Sequence, residues 1–127
     1  MRIRRRPDAL HNDDAGATAV EFALMLPVFI LMILGGMETA TLGFAVSSLH
    51  FAVEDAARCA AVKTTVCTDG AATNAFAIAH YVGPSVALVV SSSAAGCGHT
   101  VSAAGTYSLN LIPQMLNIPL SATACYP

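Results

Sequence analysis

From Ala17 to Met37 the chain reads ATAVEFALMLPVFILMILGGM, 21 positions with one charged residue, Glu21. At 1.5 Å per helical residue this run covers roughly 30 Å, the thickness of a hydrocarbon core. A core helix of a water-soluble domain is the competing reading, but the rest of a 127-residue chain is too small to surround so continuous an apolar cylinder. A membrane-spanning helix is therefore expected. Pro27 lies inside it, removes one backbone hydrogen bond, and is expected to kink the helix unless a neighbour satisfies the freed carbonyl.

The flanks of the run set its expected orientation. Arg2, Arg4, Arg5 and Arg6 are four of the six basic residues, and short basic flanks before a span stay cytoplasmic. A nucleic-acid arm is the alternative, but the cluster has no interleaved aromatics and no nucleic-acid partner is expected. Charged residues make up 11% of the chain and hydrophobic ones 55%, which excludes a disordered chain and asks for a lipid or protein partner.

After Glu38 the pattern stays helical through TATLGFAVSSLHFAVEDAARCAAVK and weakens at Thr64, Thr65 and Val66. One helix is thus expected from about Ala17 to the low sixties, with 17–38 as the transmembrane part and 39–66 continuing beyond it. Small residues at Gly36, Ala40, Gly43 and Ser47 form a stripe on which another helix can approach closely, unless they only reflect an alanine-rich composition. Asp69 and Gly70 read as a turn, and Ala71 to Val82 as a short helix stopped by Gly83 and Pro84. Period-two patterning follows at Val86 to Ser92, His99 to Ala103, Thr106 to Leu111 and Leu120 to Tyr126, with Pro113 and Pro119 bracketing a loop. The expected fold is α+β: a long N-terminal helix, a short helix and a small antiparallel sheet in an exported part at 67–127.

The head of the chain reads DDAGATAVEFALMLPVF. With GATAVEFAL at Gly16 to Leu24, Leu26 followed by Pro27, and GGME at Gly35 to Glu38, it resembles the TadE-like pseudopilins of the tight-adherence (Flp) type IV pilus system. AARCAAV at Ala56 to Val62 and the closing pattern of strand, proline loop and strand extend the resemblance more weakly. It implies a pilin-like fold, removal of leader 1–16 by a prepilin peptidase that cuts between Gly16 and Ala17, and a place in the bacterial inner membrane with the C-terminal domain periplasmic or in an extracellular filament. It also implies that Glu21 and Phe22 take part in assembly, with other pilins or pseudopilins as partners through the N-terminal helix. Known major pilins of this system are much shorter chains, so the length points to a minor component.

Glu21 calls for a physical account whatever the family. A carboxylate well inside lipid costs a few kcal/mol on insertion scales. Either it pairs with a cation, such as the freed N-terminal amine of a neighbouring subunit, or it lies one turn from Ala17 and reaches the headgroup layer. Glu38 comes 17 residues later, roughly 25 Å along a helix, and reads as a solvated residue marking the far end of the span.

Cys59, Cys67, Cys97 and Cys125 all follow the apolar run, where an exported domain meets oxidising conditions. Three connectivities are open; the expectation that partners lie in neighbouring parts favours Cys59 with Cys67 and Cys97 with Cys125. A continuous helix would hold the first pair roughly 12 Å apart, beyond disulfide reach, so the helix must stop between them. Metal binding at Cys97 and His99 lacks a closed ligand set, and no cofactor is expected. His11, His50 and His80 are isolated, the last two reading as packing residues on apolar faces. The serine run Ser91 to Ser93 reads as a turn. No phosphate loop, nucleophile elbow or spaced carboxylate pair occurs, so no enzyme activity and no small-molecule substrate are expected. Two rivals to a pseudopilin remain. One is a signal-anchored periplasmic binding domain; the other is a secreted protein cut by ordinary signal peptidase after Ala45, where Gly43 and Ala45 occupy the small positions.

Overall fold

The computed structural model describes residues 13–111 and 114–127; the arginine leader, His11 and Pro113 lie outside the described residues. The order of elements is α1 (Asp13–Val62), α2 (Gly70–His80), β1 (Val89–Ala95), β2 (Gly98–Leu111) and β3 (Gln114–Tyr126). This is an α+β fold: a long apolar helix, a short helix and a three-stranded antiparallel sheet in the order β1-β2-β3. The chain divides into two units, one ending at Met37 and one running from Glu38 to Pro127.

Over its described residues the first unit is helix, assigned without a break through Pro27. Its side chains have no core to enter: Phe22, Leu24, Met25, Leu31 and Met32 are 66% to 72% exposed. The helix is long and apolar enough to cross a membrane.

In the second unit the remainder of α1 is amphipathic. Ala45, Ser48, Leu49, Ala52, Val53, Ala56, Ala57 and Cys59 are buried along one face, while Gly43, Phe44, Ser47, Phe51, Glu54 and Arg58 are exposed on the other. The buried face meets Ala77 from α2 and Val101, Ala103, Leu120 and Ala122 from the sheet. Six of the ten residues in this cluster are alanine, so much of the surface where helix and sheet meet is methyl groups. At about 0.8 kcal/mol per buried CH₂, such a core gains little from each contact.

The helix stops at Val62, between Cys59 and Cys67 and short of the expected 66. The Lys63 N–H still donates to the Cys59 carbonyl at 2.8 Å, after which Val66 and Cys67 donate to Lys63 and close a turn. That turn brings the two cysteines to a Cα separation of 5.8 Å, and a disulfide joins them. Asp69 then caps α2, its Oδ1 accepting from the Ala72 N–H at 2.8 Å, while the Thr73 hydroxyl donates to the Asp69 carbonyl. Such a cap satisfies an N–H that the first helical turn cannot. Beyond α2, the Val82 N–H donates to Ser48 Oγ at 2.9 Å and ties the chain back to α1.

The sheet departs from the expected boundaries in three ways. The segments His99 to Ala103 and Thr106 to Leu111 are one strand, β2, which passes through Gly105 opposite Leu120. A Cβ at Gly105 would meet Val86 Cγ1 at 2.6 Å, so the glycine marks a close approach and not a break. Ser91 to Ser93 lies inside β1 instead of forming a turn; the turn is at Gly96 and Cys97, and β2 opens on Gly98 with φ +121°. Pro119 lies within β3 and not at a loop edge, paired with Thr106. β3 is an edge strand, the one place where a ladder tolerates a residue without an N–H.

Candidate functional site

The residues singled out by sequence fall on α1 and on the sheet facing its second half. Gly16 and Ala17 lie in the helix and are exposed. A Cβ on Gly16 would meet nothing within 4 Å, so this fold itself does not require a glycine there. Glu21 and Phe22 follow one turn later and are exposed; among the described residues no ion pair involves Glu21. The small residues also face outward. Gly36 in the first unit and Gly43 in the second have open space where a side chain would stand, and Ala40 and Ser47 are exposed. In the second unit Phe44 and Phe51, 55% and 59% exposed, flank Ser47 on the same outer face.

Glu38 has a partner that sequence reasoning missed. The Tyr107 hydroxyl, from β2, donates to Glu38 Oε2 at 3.3 Å. Burial, followed by the Glu38 carboxylate and the hydrogen bond to it, pushes the Tyr107 phenol above its usual range. Burial, and then Tyr107, do the same to Tyr81, whose buried hydroxyl has no hydrogen-bond partner among the described residues. No local pattern announces a contact that spans 69 positions; the only sequence signal was that Glu38 ends an apolar run.

The histidines divide. His80 stacks on Phe76 at 3.8 Å, hydrogen-bonds the Phe76 carbonyl through Nδ1 at 2.9 Å, and places Nε2 3.8 Å from Asp55 Oδ2 on α1. His50 is exposed, which corrects its reading as a packing residue: the helix turns it away from the core. Cys97 is joined to Cys125 across the turn end of the sheet, with Thr100 Oγ1 3.4 Å from each sulfur. Among the described residues, no group of three or more His, Cys, Asp or Glu side chains converges as a metal site. A cleft of about 350 Å³ lies between the end of α1, the start of α2 and the sheet, with Thr64, Asp69, Ser93, His99 and Thr100 on its walls. Asp69 Oδ1 and Ser92 Oγ, both at this cleft, already bond to the α2 backbone.

The outer face of the sheet is short-chained and hydroxylic. Ser102 bonds Thr123 at 3.0 Å and Ser108 donates to Asn117 Oδ1 at 2.9 Å, both across the β2–β3 pair. Such cross-strand pairs support the register without adding charge.

Residues 16–58 match the family model described as TadE-like protein. No curated protein and no solved structure matches the chain.

Proposed function

We propose that this chain, TadE-like over residues 16–58, is a minor pseudopilin that takes part in assembly of a Tad/Flp pilus. It sits in the bacterial inner membrane by its apolar helix, arginines cytoplasmic and sheet exported. A prepilin peptidase removes the leader between Gly16 and Ala17, and the subunit then joins other pilins or pseudopilins through α1. It has no catalytic role.

One observation carries this reading. From Ala17 to Met37 the first unit is an apolar helix exposed on every side, and the one charge in that run, Glu21, lies a turn from Ala17 and has no ion-pair partner among the described residues. A helix of that kind is completed only by lipid or by other helices. A carboxylate within it is completed by a positive group, which the freed amine of a neighbour supplies. The outward small residues and the exposed Phe44 and Phe51 give neighbouring helices a surface of knobs and hollows. Ordinary secretion with cleavage after Ala45 fits less well, because Ala45 is fully buried in the core of the second unit.

N-terminal sequencing of the purified protein tests the processing step. The expected start is Ala17, and Gly16→Leu is expected to abolish that start while leaving the disulfides formed. A mature protein that still begins at Met1, or one that begins at Val46, removes the pseudopilin reading. Glu21→Gln is expected to lower filament output and subunit cross-linking at least about tenfold, the factor for roughly 1.4 kcal/mol of lost pairing; unchanged output refutes the pairing.

A further inference from the structure

The two disulfides sit in opposite surroundings. Cys59 and Cys67, 2% and 5% exposed, lie in the interior, the first within the last turn of α1. Cys97 and Cys125 are both exposed. Cys125 lies opposite Thr100 on the outer face of the sheet, away from the core residues Val101, Ala103, Leu120 and Ala122. Cys97 stands in the turn between β1 and β2 with a glycine on each side, and there is open space where a Gly96 side chain would stand.

Disulfide exchange begins when a thiolate reaches one of the two sulfurs, so access decides which bridge reacts first. To expose Cys59 or Cys67 the end of α1 must open, a cost that Cys97 and Cys125 do not carry. Charge does not hinder the approach. No Asp, Glu, Lys or Arg occurs on the three strands, so an incoming thiolate meets no carboxylate there. The departing sulfur takes up negative charge, and a donor is already in place for it. The Thr100 hydroxyl donates to Cys125 Sγ at 3.4 Å and lies 3.4 Å from Cys97 Sγ, so its one proton serves whichever sulfur leaves. Gly96 and Gly98 give the backbone at Cys97 freedom to swing once the bond is open.

We propose that the bridge between Cys97 and Cys125 is a thiol–disulfide exchange site for a dithiol protein of the thioredoxin class, with the Thr100 hydroxyl stabilising the departing thiolate. Cys59 with Cys67 is the fixed bridge. The partner's thiolate forms a bond to one sulfur; the bond between Cys97 and Cys125 breaks, and its electron pair goes to the other sulfur, which is then protonated. The partner's second thiol attacks the mixed disulfide and releases the remaining cysteine. The bridge thereby gains two electrons and two protons, and the dithiol becomes a disulfide; the reverse steps close it again. Because the core lies on the other face, the sheet stays paired while the bridge is open. The inference rests on the second unit alone and is independent of the pilus reading.

The test uses the full chain in detergent with both disulfides formed. Limiting dithiothreitol is added without denaturant, and free thiols are alkylated after short intervals and located by peptide mass spectrometry. Initial rates are compared, because loop length bears on the equilibrium and not on access. Alkylation at Cys97 and Cys125 is expected to be at least about tenfold faster than at Cys59 and Cys67, with the circular dichroism of the fold retained. Thioredoxin lacking its resolving cysteine is expected to be trapped as a mixed disulfide on Cys97 or Cys125. Thr100→Val is expected to slow the opening at least about threefold, and Thr100→Ser to restore it. Equal or faster alkylation at Cys59 and Cys67 overturns the proposal, as does opening only where the fold is lost, or a thioredoxin that is never trapped. A Thr100→Val chain that opens at the unaltered rate overturns the part given to Thr100.

Discussion

Tyr107 and Glu38 meet through one hydrogen bond, and the phenol shows how it responds to pH. Burial first, and the neighbouring carboxylate second, raise Tyr107 above its ordinary value of 10.0. The fold holds the neutral form. Its contribution is therefore complete below pH 10.0 and is lost as pH climbs through the raised value. Thermal melting from neutral to strongly alkaline pH is expected to show that loss, and Tyr107→Phe to make the alkaline fall shallower without removing it, because Tyr81 is raised as well. An identical alkaline profile in the variant would show that the contact carries no weight. Sequence alone revealed half of this pair. A charge after an apolar run is a local pattern and marks Glu38; a tyrosine 69 positions away becomes its partner only through the course of β2. Glu21 is the opposite case, since everything said of its chemistry follows from its place in the run.

Among the elements, α1 was the most legible because its signals are local. The apolar run, the helical pattern after Glu38 and the cysteine spacing place its end between Cys59 and Cys67, and the structure stops it at Val62. The strands were less so. The serines of β1 and Pro119 of β3 carry turn propensity that pairing overrides: hydroxyls are tolerated on a solvent face, and an edge strand does not need every N–H. The two disulfides differ in what they constrain. Cys97 and Cys125 lie 28 positions apart and Cys59 and Cys67 only 8, so by chain entropy the longer loop contributes about 1 kcal/mol more. Replacing each pair with serine and comparing denaturant midpoints in detergent is expected to give that order. The reverse order would indicate that the short bridge acts by holding the last turn of α1 and not by restricting the unfolded chain.

For the whole molecule, every Asp, Glu, Lys and Arg lies at or before Asp69, and the long helix exposes its large apolar side chains from Val20 to Met37. In cell fractions the protein is expected to stay with membranes through high salt and alkaline carbonate and to leave only in detergent. Release by carbonate would remove the spanning reading. How the second unit uses its core was hidden from sequence, because alanine content reads equally as helix propensity or as packing. With six of ten core residues carrying a single methyl as their whole side chain, trimming at those six has almost nothing to remove, whereas enlarging a side chain there costs about 1–3 kcal/mol for each misfit. The interior therefore has one-sided tolerance: variation there can drift toward glycine at about 1 kcal/mol, but cannot gain bulk without changing how far apart the layers stand.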